Sequence, residues 1–361
     1  MEVLNDLKEN YLHLAKNPHI EYEFEEDIKN YRVEIRMQIG QSNENFSFLR
    51  NVTEGLSIAS RAIPLEKNSE VLLTNLEHRS AINCWYLRQI SQPDLQLTIK
   101  ICNIPTDATN EEIIRIISAN ISEQTRVIAI PHIDRYFGIL FPVKKLCQIA
   151  RELNITTVID GAQSLGLTDI KFDDLGCDIY VSCLHKWFLS PMTIGTISIH
   201  SEIFSKLYRS FASSNRWNEE RIENRQLGGQ ELGTRNVALE KSIGSLLDFH
   251  TRWHNEIQTL GNGLKPFLID CLLSINKVKV IPVIDYLGKY GIITFYVEGI
   301  NSKLIIKQLE KKYRILVGIS NRKGFDMIRI SLYFYNTRQD IQHFVKALEE
   351  IIWSMEHEGG L

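Results

Sequence analysis

The sequence predicts an α/β protein, with a mostly parallel central sheet flanked by helices and a smaller α/β domain at the carboxyl end. Three observations carry this expectation. Short apolar runs, Arg126-Val127-Ile128-Ala129-Ile130, Thr157-Val158-Ile159 and Asp178-Ile179-Tyr180-Val181, have the length and continuity of buried parallel strands. Stretches such as 110–119 and 141–153 carry apolar residues at helical spacing between those runs, so strand and helix alternate. A chain of 361 residues with 44% hydrophobic content is long enough for a large domain and a smaller companion. The expected division is an amino-terminal helical segment over 1–40, a large domain over 41–258 and a small domain over 259–361.

Taken in order, residues 1–40 place Leu4, Leu7, Tyr11 and Leu14 among many charges, the pattern of surface helices. A strand-like start at Phe46 runs into Asn51-Val52-Thr53-Glu54-Gly55 and then a helical pattern. A hydroxyl beside the free N–H groups of a helix start makes an anion site, and a plain Thr N-cap has the same appearance. Glu70 to Leu76 reads as a strand that ends at Glu77-His78, before a helix containing Trp85. The run ending at Ile130 leads into Pro131-His132-Ile133-Asp134-Arg135. The next strand ends on Asp160, with Gln163 about one turn on, and the one after it delivers Ser182, His185 and Lys186. Thr193 to His200 gives another strand, and a polar, glycine-bearing stretch over 213–237 precedes one long helix reaching about residue 258. In the small domain, strands are expected near 278–282, 291–297 and 327–333, and helices near 302–312 and 338–354.

Side chains at the carboxyl ends of parallel strands face the ligand crevice, so Asp160 and Lys186 are brought to one rim. An N-capping aspartate and a surface lysine would give the same local pattern. The chemistry that wants such a pair is that of pyridoxal phosphate: a lysine forms a Schiff base with the aldehyde, and a carboxylate keeps the pyridine nitrogen protonated. Further on, Met327-Ile328-Arg329-Ile330-Ser331-Leu332-Tyr333-Phe334-Tyr335-Asn336-Thr337 offers Arg329, whose planar guanidinium can meet a carboxylate with two parallel hydrogen bonds.

The order Asp-Gly-Ala-Gln, a strand, Ser-Cys-Leu-His-Lys-Trp, then Gly-Thr-Arg-Asn and Arg-Ile-Ser with Tyr-Asn-Thr resembles the class V aminotransferase-fold enzymes. These are the cysteine desulfurases, isopenicillin N epimerase-like proteins and related carbon-sulfur lyases, of pyridoxal phosphate fold type I. The resemblance implies that Lys186 carries the cofactor and acts as base, that Asp160 holds the ring nitrogen and that His78 covers the ring. It assigns Gln163, Ser182 and His185 to the ring oxygen and phosphate, and the Val52-Thr53 turn to the phosphate, with Val52 where a hydroxyl is usual. Thr234 is implied to reach the phosphate of a neighbouring subunit, hence a homodimer, while Arg329 and Arg235 are assigned to substrate.

The implied reaction forms an external aldimine with an amino acid and removes its α-proton, most readily read as an epimerase or a β-eliminating carbon-sulfur lyase. An aminotransferase and a non-catalytic cofactor-binding homologue are the alternatives. Desulfurases need a sulfur-accepting cysteine on the loop before Arg329, and 317–325 contains none. The pair Asp134-Arg135, standing where desulfurases carry Ser and Asn, points to a different substrate.

Other classes are excluded more simply. A net charge of −3, a pI near 6.4 and only short positive runs argue against nucleic-acid or membrane-surface partners. Six cysteines with no CxxC pair and no zinc spacing imply no metal and a reduced, cytoplasmic setting. No apolar run is long enough to span a bilayer. No GxGxxG follows a strand, and 161–166 is not a GxSxG elbow, so dehydrogenase and hydrolase readings are poor.

Overall fold

A computed structural model describes residues 1–17, 19, 21–208, 235–260, 262–281, 291–322 and 325–357. Chain contacts divide it into two units: 1–104 with 110–133 and 141–252, and 105–109 with 134–140 and 253–361. The amino-terminal helices α1 (Glu2–Lys16) and α2 (Glu21–Gln38) fall inside the first unit, tied to it by ion pairs such as Lys241 to Asp27 at 2.6 Å.

The first unit is built on seven strands: β1 (Phe46–Leu49), β2 (Glu70–Thr74), β3 (Thr98–Cys102), β4 (Thr125–Pro131), β5 (Thr156–Asp160), β6 (Ile179–Cys183) and β7 (Gly195–Ile199). Their order is β1-β7-β6-β5-β4-β2-β3. Strands β2 to β6 are parallel, while β7 runs antiparallel to both β6 and β1. The mostly parallel α/β sheet expected from the sequence is therefore present. Two antiparallel steps restore direction, so β1 points the same way as β6. Continuous burial of Val71 to Leu73, Val127 to Ile130 and Ile179 to Val181 explains why these strands read as unbroken apolar runs. The edge strand β3 has exposed and half-buried positions and lacked that signature, so the sequence did not single it out.

Helices α3 (Val52–Ala62) and α4 (Arg79–Ser91) cover this sheet through Leu56, Ile58, Ala59 and Trp85. The carboxyl end of α3 is closed by Arg88 of α4, which donates to the carbonyls of Ser60 and Ile63, satisfying acceptors that the helix leaves open. Helices α5 (Asn110–Asn120) and α6 (Val143–Glu152) fall where the sequence placed them. The long helix expected to reach residue 258 is instead three pieces, Val237–Lys241, Ile243–Arg252 and His254–Thr259. At the first break the Ser242 hydroxyl donates to the Leu239 carbonyl at 2.7 Å, a local bond that competes with the helical ladder.

In the second unit, β8 (Val278–Val280), β9 (Gly291–Val297), β10 (Gly318–Arg322) and β11 (Phe325–Leu332) form an antiparallel sheet of order β10-β11-β9-β8. Helices Leu264–Ser274, Ser302–Tyr313 and Arg338–His357 pack on it around Phe295, Ile305, Leu309, Ile328 and Leu348. The sequence treated 317–325 as a loop. Gly-Ile-Ser-Asn-Arg has no apolar alternation, and the strand exists because its backbone pairs with β11, Gly318 opposite Arg329. The excursion 134–140 belongs to this unit: Thr294 donates its hydroxyl to the Tyr136 carbonyl at 2.5 Å. Gly138, at φ 76°, lies where an added Cβ would come within 2.9 Å of the Ile292 carbonyl oxygen.

Two outcomes are expected. Trp85 is 1% exposed, and Trp85→Ala should lower unfolding stability by about 3–5 kcal/mol, read as an earlier denaturant midpoint. His132 is buried, its Nδ1 lying 2.8 Å from the Tyr180 hydroxyl, and burial pushes its pKa down to about 4. The unfolded chain takes up a proton near 6.5 that the fold refuses until about 4, so this group's contribution is complete above 6.5 and is lost as pH falls through that window. Across it, His132→Gln should flatten the dependence of thermal midpoint on pH by an amount worth roughly 3 kcal/mol; an unchanged slope would contradict the assignment.

Candidate active site

Because β1, β2, β4, β5 and β6 all point one way, the segments following their carboxyl ends share one rim of the first unit. In chain order these segments carry Asn51 to Thr53, His78, then Asp160 to Gln163, and finally His185 and Lys186. Most of the expected cofactor residues are thus gathered along one edge by strand direction alone.

Asp160 ends β5 and is 6% exposed. Its Oδ1 accepts from the Ala162 N–H at 2.9 Å; among the described residues Oδ2 has no hydrogen-bond donor. Burial raises its pKa from the ordinary 3.8, and the Ala162 N–H and the positive charge of Lys186 act in the opposite direction. A buried carboxylate with an open oxygen suits a cationic N–H donor. Lys186 is exposed, two residues beyond the Cys183-Leu184 pair that leaves the sheet.

Gln163 accepts from the Trp187 indole N–H at 2.9 Å through Oε1. That bond leaves the amide nitrogen as the donor for another partner. Trp187, which closes the Ser-Cys-Leu-His-Lys-Trp run, thereby orients the Gln163 amide. The His185 Nδ1 lies 3.0 Å from the Ile194 carbonyl, an acceptor only, so Nδ1 carries a proton. Burial lowers the pKa of this ring, and in its neutral form Nε2 offers a lone pair; holding an anion there takes a second proton.

At the start of α3 the cap is Asn51, whose side chain accepts from the Glu54 N–H at 3.0 Å, rather than Thr53. Val52 is buried, whereas Thr53 is exposed in the first turn, where backbone N–H groups have no partner within the helix. The turn lies close to β7: a Cβ on Gly195 would sit 2.7 Å from the Asn51 backbone, so glycine allows the approach. His78 caps α4, accepting from the Ser80 N–H at 3.2 Å.

Two expected residues are occupied elsewhere. The hydroxyl of Ser182 is wholly buried and shares a 2.7 Å hydrogen bond with Thr196 across β6 and β7, inside the sheet. Arg235 is clamped between Glu25 at 2.7 Å and Glu240 at 2.8 Å, so its guanidinium holds the α2 helix to the short Val237–Lys241 helix. Thr234 lies outside the described residues.

Arg329, on β11 in the second unit, donates from Nη1 to the Arg135 carbonyl at 3.2 Å, and its buried Nε has no partner. Burial and the neighbouring Arg135 charge lower its pKa, with Asp134 opposing. The Asp134 carboxylate accepts from the N–H groups of Tyr136, Phe137 and Ile139, which fixes the turn that carries Arg135.

The aminotransferase class-V family model matches residues 1–344. Isopenicillin N epimerase of Amycolatopsis lactamdurans is 25% identical over 87% of this chain and 82% of its own length. A probable cysteine desulfurase of Borreliella burgdorferi is 27% identical over 86% of this chain and 78% of its own. Among solved structures, C-DES with glycine covalently linked to its pyridoxal phosphate cofactor superposes with a TM-score of 0.84 at 19% identity, covering 97% of this chain and 93% of that one. The apo cysteine desulfurase of Thermococcus onnurineus gives 0.82 at 18% identity, with 98% and 92% covered. With a family model spanning nearly its whole length and the matching fold, this chain belongs to the aminotransferase class-V family of pyridoxal phosphate-dependent enzymes, fold type I.

Proposed function

We propose that this enzyme binds an amino acid and removes its α-proton, and that the product is an epimerised amino acid or the result of β-elimination across a carbon-sulfur bond. The observation that carries the reading is Asp160: a buried carboxylate with an open oxygen, under the influence of the Lys186 charge, at the carboxyl end of a parallel strand. Pyridoxal phosphate bound at this rim supplies an electron sink that acidifies the α-proton. Asp160 would hold the ring nitrogen, the Gln163 amide would donate to the ring oxygen, and His78 would lie over the ring. The N–H groups of Val52 and Thr53, the Thr53 hydroxyl and the His185 ring would take the phosphate, using the positive end of α3. Ser182, bonded to Thr196, acts by holding β6 against β7 rather than by touching the phosphate.

Lys186 Nζ is the group that takes the α-proton; epimerisation then needs a proton delivered to the opposite face of the α-carbon, and elimination needs departure of the sulfur substituent from the β-carbon. Arg329 is assigned to the substrate carboxylate, for which its unpartnered Nε edge is suited. Thr234, in the sequence Gly-Thr-Arg-Asn, is assigned to the cofactor phosphate of a second copy, so the working form is a homodimer, and the setting proposed is cytoplasmic. Among the described residues no helix is long and apolar enough to cross a membrane.

Transfer of sulfur onto a protein thiol is disfavoured. No cysteine stands in 317–325, and Cys183 is 1% exposed in the core with its thiol pushed up to about 11 by burial. A buried, protonated thiol is a poor nucleophile. The second reading, amino transfer to a keto acid, uses the same groups and is separated from the first by its dependence on an added acceptor.

Two experiments test this reading. Incubated in deuterium oxide with candidate amino acids, the enzyme should place deuterium on the α-carbon of an epimerised amino acid or on the β-carbon of the keto acid released by elimination, and Lys186→Ala should slow labelling by about 1000-fold or more. Retention of labelling in that variant would remove Lys186 from its role. A carboxyl whose folded pKa is raised loses stability as pH climbs above 3.8, because the unfolded chain releases the proton first. Cofactor-free Asp160→Asn should therefore melt no lower than cofactor-free parent near neutral pH, while binding pyridoxal phosphate at least about tenfold more weakly. A variant that binds the cofactor equally well would contradict the pairing.

A further inference from the structure

Within the second unit the Arg329 guanidinium, on β11, feels the Arg135 charge, with the Asp134 carboxylate acting in the opposite direction. Among the described residues neither arginine forms an ion pair. Arg329 spends Nη1 on the Arg135 carbonyl, which leaves its Nε edge buried and unpaired. The opposite residue on β10 is Gly318, where an added Cβ would sit 3.2 Å from Nε and 3.3 Å from Nη2, so the absence of a side chain keeps this edge open. Arg135, half-buried, lies over the Tyr136 ring at 5.2 Å and is presented by the turn that the Asp134 carboxylate braces through three backbone N–H groups.

Placing two cations side by side costs free energy in a partly desolvated site; the Asp134 carboxylate opposes part of that cost at Arg329, and arriving anions offset more of it. The Nε edge of Arg329 is a planar two-donor fork, sufficient for one carboxylate. The Arg135 guanidinium is then left for another. We propose that Arg135 is a specificity residue that takes a second anionic group, so that the substrate is an amino acid with an acidic side chain, a carboxylate or a sulfur oxyacid. This rests on the reading of Arg329 as the α-carboxylate group. The neighbouring charge keeps a neutral side chain from satisfying Arg135, which is how the site would discriminate.

The test uses probes without an amine, which cannot react with the cofactor: glutarate and succinate against butyrate and propionate, titrated into the holoenzyme by calorimetry. Dicarboxylates should bind roughly tenfold to a hundredfold more tightly than monocarboxylates. Arg135→Gln should erase that preference while leaving the monocarboxylate affinity in place, Arg135→Lys should retain part of it, and Arg329→Gln should weaken both classes. An equal loss for both classes in Arg135→Gln would mean that the two arginines share one anion, and an unchanged preference would mean that Arg135 faces no ligand; either result overturns the proposal. Failure of the cofactor reading would show separately, as a protein that takes up no pyridoxal phosphate whatever its response to dicarboxylates.

Discussion

The buried carboxylate of Asp160 is the constraint around which the first unit is arranged. Parallel pairing carries its strand to the rim with the carboxylate itself buried, and the only hydrogen bond that carboxylate accepts among the described residues comes from Ala162. Burial makes the charged form of such an acid costly and raises its pKa. The arrangement becomes favourable when a cationic N–H donor fills the open oxygen, so the cost of burying Asp160 and the affinity for a protonated ring are two sides of one interaction. Its neighbours prepare the same event. Lys186 contributes positive charge, Trp187 orients the Gln163 amide, and the start of α3 supplies unfilled N–H groups.

Close backbone packing makes the rim possible. A Cβ on Gly161 would run into the Tyr180 ring and one on Gly55 into the Val181 side chain, so the turn after β5 and the body of α3 approach the sheet only because both positions are glycine. Tyr180 in turn touches His132, giving the sheet a polar contact beneath the carboxylate strand that tightens the interior without serving the rim directly. In the second unit the same device appears at Gly318, where it opens the edge of Arg329.

Much of this was legible in the sequence because parallel strands buried on both faces leave unbroken apolar runs, and the residue that ends each run is the residue at the rim. Strand ends put Asp160 and Lys186 on one rim and Thr53 stood out as a hydroxyl at a helix start, whereas His78 was singled out only by resemblance to the class V enzymes. What could not be read was partnership. Nothing local to Arg235 announces Glu25, which lies far away in sequence, and nothing local to Ser182 announces Thr196 on the neighbouring strand. Asn51 was overlooked as the cap because Thr53 is also a capping residue, and backbone geometry decides between them. Strand β10 was hidden by its polar composition, and with it the proximity of Gly318 to Arg329.

The measurement that bears most directly on the central claim is the visible absorption of the purified protein before and after borohydride, followed by peptide mapping of the reduced product. A yellow chromophore that bleaches and leaves its adduct on Lys186 is the expected result. A protein that remains colourless in excess pyridoxal phosphate, or an adduct carried by another lysine, would contradict the reading of the Asp160 rim as a cofactor site.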